Sequence, residues 1–171
     1  MTAPAPRAIY PGSFDPVTKG HLDIVRRAVS TFGGLTVAVL RNTNKAPLFD
    51  ADERRAMFIE ALAESAIDGV QVVAFDGLLV DFARQNQATI VIRGLRAISD
   101  FEFELQMALI NRRLAAHLET AFLVPGEDVS FISSRLVREI ARLGGDVSEL
   151  VPKAAQKRLT RLFGTPKGSP P

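Results

Sequence analysis

Short apolar runs and amphipathic segments alternate along the whole of this 171-residue chain. Five runs have the length and β-branched content of strands: Arg7 to Tyr10, Leu35 to Leu40, Val70 to Phe75, Ala88 to Ile92 and Thr120 to Val124. The Leu35–Leu40 run is continuous rather than alternating, which is how a strand covered on both faces reads. Between the strands, apolar residues recur at spacings of three and four. Leu22, Val25, Ala28, Val29 and Phe32 predict a helix from His21, buried on one face and stopped by Gly33-Gly34. Asp50-Ala-Asp-Glu53 resembles a capping box, and it opens a helix whose Ala56, Ile59, Leu62 and Ala63 share a face. Further helices are predicted over Leu78–Gln87, from about Asp100 to His117, over Ser133–Leu143 and over Pro152–Phe163.

With no internal repeat and no linker, this alternation predicts an α/β fold: one doubly wound parallel sheet of five strands, with helices on both faces and right-handed crossovers. A chain of this length suits a single domain over 1–171, and residues 1–6 and 165–171 are expected to be disordered. Ligands of such sheets bind at the carboxyl ends of the strands. Functional residues should therefore follow strands.

Composition narrows the class. Hydrophobic residues make up 47% of the chain and charged residues 23%, as in soluble globular proteins. The absence of cysteine excludes disulfides, thiolate catalysis and thiolate metal sites. Met1 to Pro6 is too short and Pro-rich for a signal peptide, and the longest apolar runs are only strand-length, so a cytoplasmic protein without membrane contact is expected. The 21 basic and 19 acidic residues leave a net charge of +2, and the basic ones are scattered rather than clustered with aromatics. Nucleic acid is not expected as a partner. Single Arg and Lys residues beside Gly-rich loops suit small phosphorylated ligands instead.

The chemistry does follow strands. After the first comes Tyr10-Pro-Gly-Ser-Phe-Asp-Pro-Val-Thr-Lys-Gly-His21, a Gly/Pro loop delivering Ser13, Thr18 and His21 to a helix N-terminus, where N–H groups and the helix dipole favour an anion. Lys45 follows the second strand, Arg93 and Arg96 the fourth, and Ser130, Ser133 and Ser134 the fifth. Each also has a plainer reading. His21 could cap its helix, Lys45 could be solvated surface, and Arg96 could pair with Asp100. Ser133 and Ser134 are ordinary N-cap residues, and Asp15 could simply shape the turn. Convergence of four loops on one sheet edge argues for phosphate binding. No general base is evident among these motifs.

These residues also carry a resemblance. The Tyr10–His21 stretch, with Thr18-Lys-Gly-His21 as its T-x-G-H element, resembles the first signature of the nucleotidyltransferase superfamily, and Ile132-Ser-Ser-Arg-Leu-Val-Arg138 resembles the second. Ile92-Arg-Gly-Leu-Arg96 and Asp100-Phe-Glu-Phe-Glu-Leu-Gln-Met107 narrow it to the phosphopantetheine adenylyltransferase family, over about Arg7 to Phe163. The resemblance implies a Rossmann-like sheet and adenylyl transfer from ATP to 4′-phosphopantetheine, giving dephospho-coenzyme A and pyrophosphate in coenzyme A synthesis. It implies that Ser13, Phe14 and His21 meet the ATP phosphates, His21 stabilising the transition state. Gly94, Leu95, Arg96 and Glu104 hold the nucleotide in that picture, together with Val129, Ser130, Phe131, Ile132, Ser133, Ser134 and Arg135. Ser13, Lys45, Leu79 and Arg93 bind the second substrate. Mg²⁺ carried by the ATP phosphates and a homohexamer are implied as well.

Three positions depart from the family pattern: Gly77 for a polar residue, Val129 for an aromatic one, and Arg135 for a third Ser. Two other readings stay open: a nicotinate-mononucleotide adenylyltransferase, which shares the first signature, and a nucleotide-binding module without turnover. The Phe101–Leu118 segment is apolar around much of its circumference, for which core packing is the first expectation and a subunit interface the second.

Overall fold

The computed structural model describes residues 7–41 and 46–167. Its strands are β1 (Ala8–Gly12), β2 (Leu35–Leu40), β3 (Val70–Phe75), β4 (Ile90–Gly94) and β5 (Glu119–Leu123). They form one all-parallel sheet in the order β3-β2-β1-β4-β5. The helices are α1 (Lys19–Phe32), α2 (Ala51–Glu64), α3 (Leu79–Gln85), α4 (Ile98–Leu114), α5 (Ser134–Arg142) and α6 (Lys153–Phe163).

Successive residues of the central strands point to opposite faces, and both faces are dry. Tyr10, Val37, Val39 and Ile92 pack with α1, α2, α5 and α6. Ile9, Ala38 and Val91 pack with Val80, Phe82 and Ala83 of α3 and with Ala115 and Leu118. This is the expected doubly wound architecture. The strand order reverses between β1 and β4, and there the two strands part: β1 pairs with β2 along its whole length but with β4 only at Ala8 and Ile9. Two residues further on, Pro11 has no N–H to offer a ladder, and its carbonyl accepts from Arg93 Nη1 at 2.9 Å instead. The crevice opens at that point.

Boundaries shift for identifiable reasons. β4 begins later than expected and runs through Arg93 and Gly94, which pair with Phe122 and Leu123. α3 stops at Gln85 because Asn86 turns its side chain back onto the Phe82 carbonyl and Gln87 takes a φ of +53°. α4 ends at Leu114 rather than His117, where the chain leaves the helix to bury Ala115 and Leu118. Of the tail expected to be disordered, Thr165 to Lys167 lie within the described residues, and the Lys167 amide donates to the Gly144 carbonyl at 2.8 Å.

The long helix departs most from its expectation. Core packing does not account for its apolar residues: Phe101, Phe103, Leu105, Met107, Leu109, Ile110 and Leu114 are exposed, and its buried positions among the described residues are Glu104 and Asn111. α4 turns a polar side to the protein and an apolar side outward.

Candidate active site

The loop after β1 is held from below by its own aromatic residue. Phe14 has a φ of +48°, which sends its side chain inward between Tyr10, His21 and Phe58, with ring centroids 5.2, 5.1 and 4.9 Å away. The Phe14 ring lies against Gly12, where a Cβ would come within 2.7 Å of it. Glycine is required there by close approach. Because the Phe14 side chain is buried, only its main chain can meet a ligand.

Polar contacts then fix the loop to its neighbours. The buried Asp15 carboxylate accepts from the Leu48 and Phe49 amides at 2.7 and 3.0 Å, and Arg138 of α5 donates to the Asp15 carbonyl. Ser134 Oγ donates to the Pro16 carbonyl at 2.7 Å. Arg54 of α2 is fully buried, with Nε donating to the Phe49 carbonyl and Nη1 to those of Ser13 and Leu40. Its Nη2 has no hydrogen-bond partner among the described residues.

His21 occupies the third position of α1 and completes a capping box with Thr18. The Thr18 amide donates to Nδ1 at 3.0 Å, so Nδ1 carries no proton and the imidazole hydrogen sits on Nε2. Burial, with Arg96 and Arg93 adding to it, pushes the His21 pKa down to about 3. The neutral ring therefore offers one N–H donor. Beside it, burial raises the pKa of Tyr10 above its ordinary value, so that side chain stays a phenol. Gly20 lets α1 approach the next loop, since a Cβ there would stand 3.1 Å from the Val129 carbonyl.

The arginines after β4 are both engaged. Arg93 grips Glu104 with two hydrogen bonds of 2.6 Å. Burial opposes its charge, but the Glu104 carboxylate outweighs burial and holds the guanidinium above its ordinary value. Arg96 pairs with Asp100 at 3.1 Å. On the other side, Ser133 caps α5 by accepting from the Leu136 amide at 3.1 Å.

These elements enclose a cleft of about 430 Å³ at the carboxyl edge of the sheet. Ser13, Phe14, His21, Arg93, Gly94, Arg96, Glu104, Val129, Ile132, Ser133, Ser134 and Arg135 all line it, so three of the four loops meet as expected. Lys45 lies outside the described residues. Leu79 opens α3 and packs on the core of the opposite face. Leu95 donates to the Leu123 carbonyl, Ser130 to the Glu127 carbonyl, and the Phe131 side chain is exposed; like Leu79, these three do not line the cleft. Sequence reading passed over Tyr10, Arg54 and Arg138 as site residues. Thr18-x-x-His21 was findable, because its spacing is that of a capping box.

The cleft's acidic residues, Asp100 and Glu104, are both committed to arginines. Among the described residues, no three His, Cys, Asp or Glu side chains come together where they could hold a metal ion. No described helix is long and apolar enough to cross a membrane.

Residues 9–140 match the model of the cytidylyltransferase-like family. Over 159 residues the chain is 52% identical to the phosphopantetheine adenylyltransferase of Parasynechococcus marenigrum (strain WH8102), covering 93% of this chain and 96% of that protein. Over 156 residues it is 53% identical to the phosphopantetheine adenylyltransferase of Methylococcus capsulatus (strain ATCC 33009 / NCIMB 11132 / Bath), covering 91% and 95%. The chain belongs to the phosphopantetheine adenylyltransferase family. It is a nucleotidyltransferase. The fold of this family member is shared with the Plasmodium falciparum nicotinic acid mononucleotide adenylyltransferase complexed with NaAD, with a TM-score of 0.67, 16% identity and coverage of 91% of this chain and 97% of that one.

Proposed function

We propose that this chain transfers the adenylyl group of ATP to 4′-phosphopantetheine, giving dephospho-coenzyme A and pyrophosphate. One observation carries the reading from the structure: the N-termini of α1 and α5, the His21 Nε2–H, and Arg93 and Arg96 all face one cleft. Such a site gathers donors and cations around more than one phosphate. Relatives of the same name, about half identical along nearly their whole length, supply the substrates.

In this reaction a phosphate oxygen of phosphopantetheine attacks the α-phosphorus of ATP, a P–O bond forms, and the bond to the β-phosphate's bridging oxygen breaks. The nucleophile is already an anion, so a general base is unnecessary. The chain contributes alignment and charge stabilisation. His21 donates Nε2–H to the α-phosphate as negative charge grows on its oxygens. The Ser13–Phe14 main chain holds the same phosphates, and Gly94 to Arg96, Glu104 and the Val129–Arg135 stretch hold the nucleotide. Lys45 and Arg93 present the attacking phosphate, with Leu79 beside the pantetheine arm. Magnesium would be carried by the ATP phosphates and would offset their charge, since the acidic side chains of the cleft are already paired. A homohexamer, with the outward face of α4 as a contact surface, and a cytoplasmic setting complete the proposal.

Pyrophosphate release tests it. Turnover is expected with ATP and phosphopantetheine and not with ATP and nicotinate mononucleotide. The opposite preference would make the chain a nicotinate-mononucleotide adenylyltransferase, and ATP binding without turnover on either would make it a sensing module.

A further inference from the structure

The peptide joining Ser13 to Phe14 meets different surroundings at its two ends. Its carbonyl is held from the interior by Arg54, whose Nη1 donates to it at 2.5 Å and whose side chain is fully buried. The peptide is trans. In a trans, planar peptide the N–H points opposite to the C=O, so the Phe14 amide is aimed away from Arg54 and toward the cleft that Ser13 and Phe14 line. Phe14 itself sits at a φ of +48°, which a bulky side chain adopts only where its surroundings impose it.

Stability explains Arg54 poorly. Among the described residues its hydrogen-bond partners are three carbonyls, with no carboxylate, and Nη2 has no partner. Burial lowers its pKa, and Asp15 and Asp50 work against that shift without cancelling it. A buried cation placed this way is costly, and an apolar side chain of similar length would pack there at less cost. Only a guanidinium supplies several donors in one rigid plane. Those donors reach the loop after β1 at Ser13, the end of β2 at Leu40 and the segment before α2 at Phe49.

We propose that Arg54 is a positioning residue for the phosphate site. By holding the Ser13 carbonyl inward it presents the Phe14 amide N–H to the nucleotide phosphates. Its grip on Leu40 and Phe49 fixes that amide relative to the end of β2. The inference rests on the reading above only in taking the cleft's ligand to be ATP.

The test can be read on single amides. Ser-Phe pairs occur only at Ser13-Phe14 and Ser130-Phe131, so labelling with carbonyl-¹³C serine and ¹⁵N phenylalanine leaves two signals in a carbonyl-edited spectrum. In the wild type, ATP should move the Phe14 amide proton downfield saturably, with Phe131, which does not line the cleft but is followed directly by Ile132 and Ser133 that do, reporting occupancy from the opposite loop. In Arg54→Met, Phe131 should still saturate while the Phe14 shift is lost, and kcat should fall about 10²-fold, as for loss of one oxyanion donor. A Phe14 amide that stays still in the wild type while Phe131 responds, or that responds equally in Arg54→Met, would overturn the proposal. If neither amide moves in the wild type, ATP does not occupy the cleft and the functional reading itself fails. Should Arg54→Met not fold, Arg54→Lys decides: one ammonium cannot span three carbonyls, so a reduced Phe14 shift and reduced kcat with KM for phosphopantetheine unchanged is expected, and a lowered Tm alone counts against the proposal.

Discussion

Thr18 and His21 satisfy each other across the first turn of α1: Thr18 Oγ1 accepts from the His21 amide at 3.3 Å, and the Thr18 amide donates to His21 Nδ1 at 3.0 Å. One imidazole thus closes a helix with one nitrogen and faces the cleft with the other. Glutamine is the ordinary residue at this position of a capping box and can both accept from Thr18 and donate outward. His21→Ala is therefore expected to lower kcat by about 10²–10³ and to cost about 1 kcal/mol of stability with the lost cap. His21→Gln should keep the Tm and recover part of kcat. Pyrophosphate-release kinetics and thermal unfolding on the two variants check both halves; a near-normal kcat in His21→Ala would remove His21 from the mechanism.

Acid sensitivity follows from the same ring. The folded-state pKa of His21 is about 3, below the unfolded value of about 6.5, so the unfolded state takes up the proton first as pH falls. Its contribution to stability is complete above pH 6.5 and declines toward pH 3. Wild-type Tm should fall more steeply than that of His21→Gln across this window. The His21 imidazole itself should contribute no step near 6.5 to the pH profile of kcat, so any step there should persist in His21→Gln.

Gly12 is confined by Phe14, whose ring would stand 2.7 Å from an added Cβ. Gly12→Ala should displace that ring, cost about 1–3 kcal/mol and raise KM for ATP. Chemical denaturation and steady-state kinetics measure the two effects.

How much of this was legible beforehand differs from residue to residue. Strands β2 and β3 could be read to the residue: β2 because burial on both faces leaves a nearly continuous apolar run, and β3 because Asp68-Gly69 and Asp76-Gly77 bound a β-branched run at the edge of the sheet. Arg93 and Gly94 look like loop residues, and nothing local reveals that they continue a ladder with Phe122 and Leu123. His21 announced itself as the end of a Gly/Pro loop at a helix start, in the Thr18-Lys-Gly-His21 element. Arg54 did not, since Glu53-Arg54-Arg55 reads as the solvated side of a helix. What buries it is the return of the β1 loop and the end of β2 against α2, contacts between residues 41 and 14 positions apart in sequence. Apolar periodicity in α4 gave the helix but not its rotation, because both sides carry apolar residues and the buried ones are Glu104 and Asn111.

Arg93 and Glu104 form a pair, and either single truncation leaves the remaining charge unmatched, a buried one in the case of Glu104. Arg93→Ala should weaken phosphopantetheine binding by about 1.5–3 kcal/mol for the lost charged hydrogen bonds and lower the Tm as well. The double variant Arg93→Ala/Glu104→Ala should be less destabilised than the sum of the singles, with a coupling of about 1–3 kcal/mol. Additive losses in a thermal or denaturant cycle would mean that the pair contributes little. A loss of ATP binding instead of phosphopantetheine binding would reverse the assignment of the loop after β4.

The outward side of α4 makes an assembly prediction. Phe103 and Leu109 are 61% and 55% exposed in the single chain. Light scattering at micromolar concentration should find an oligomer, and Phe103→Glu with Leu109→Glu should dissociate it by burying charge in the contact. A wild-type monomer under those conditions would remove α4 as an interface.

Because the buried positions of α4 among the described residues are Glu104, paired with Arg93 of β4, and Asn111, with Phe101 against Phe122 of β5 as its aromatic contact with the sheet, little hydrophobic burial resists its detachment from the isolated chain. Amide exchange in a dissociated subunit should be fastest there, well ahead of α1 and the central strands. When α4 lifts away, Arg93 loses its carboxylate, and the end of the crevice beside β4 loses its shape while the Thr18–His21 turn stays folded. The cleft is thus joined from two parts of unequal tenacity: a firm floor in the β1–α1 turn, and one wall held chiefly by the grip of Glu104 on Arg93.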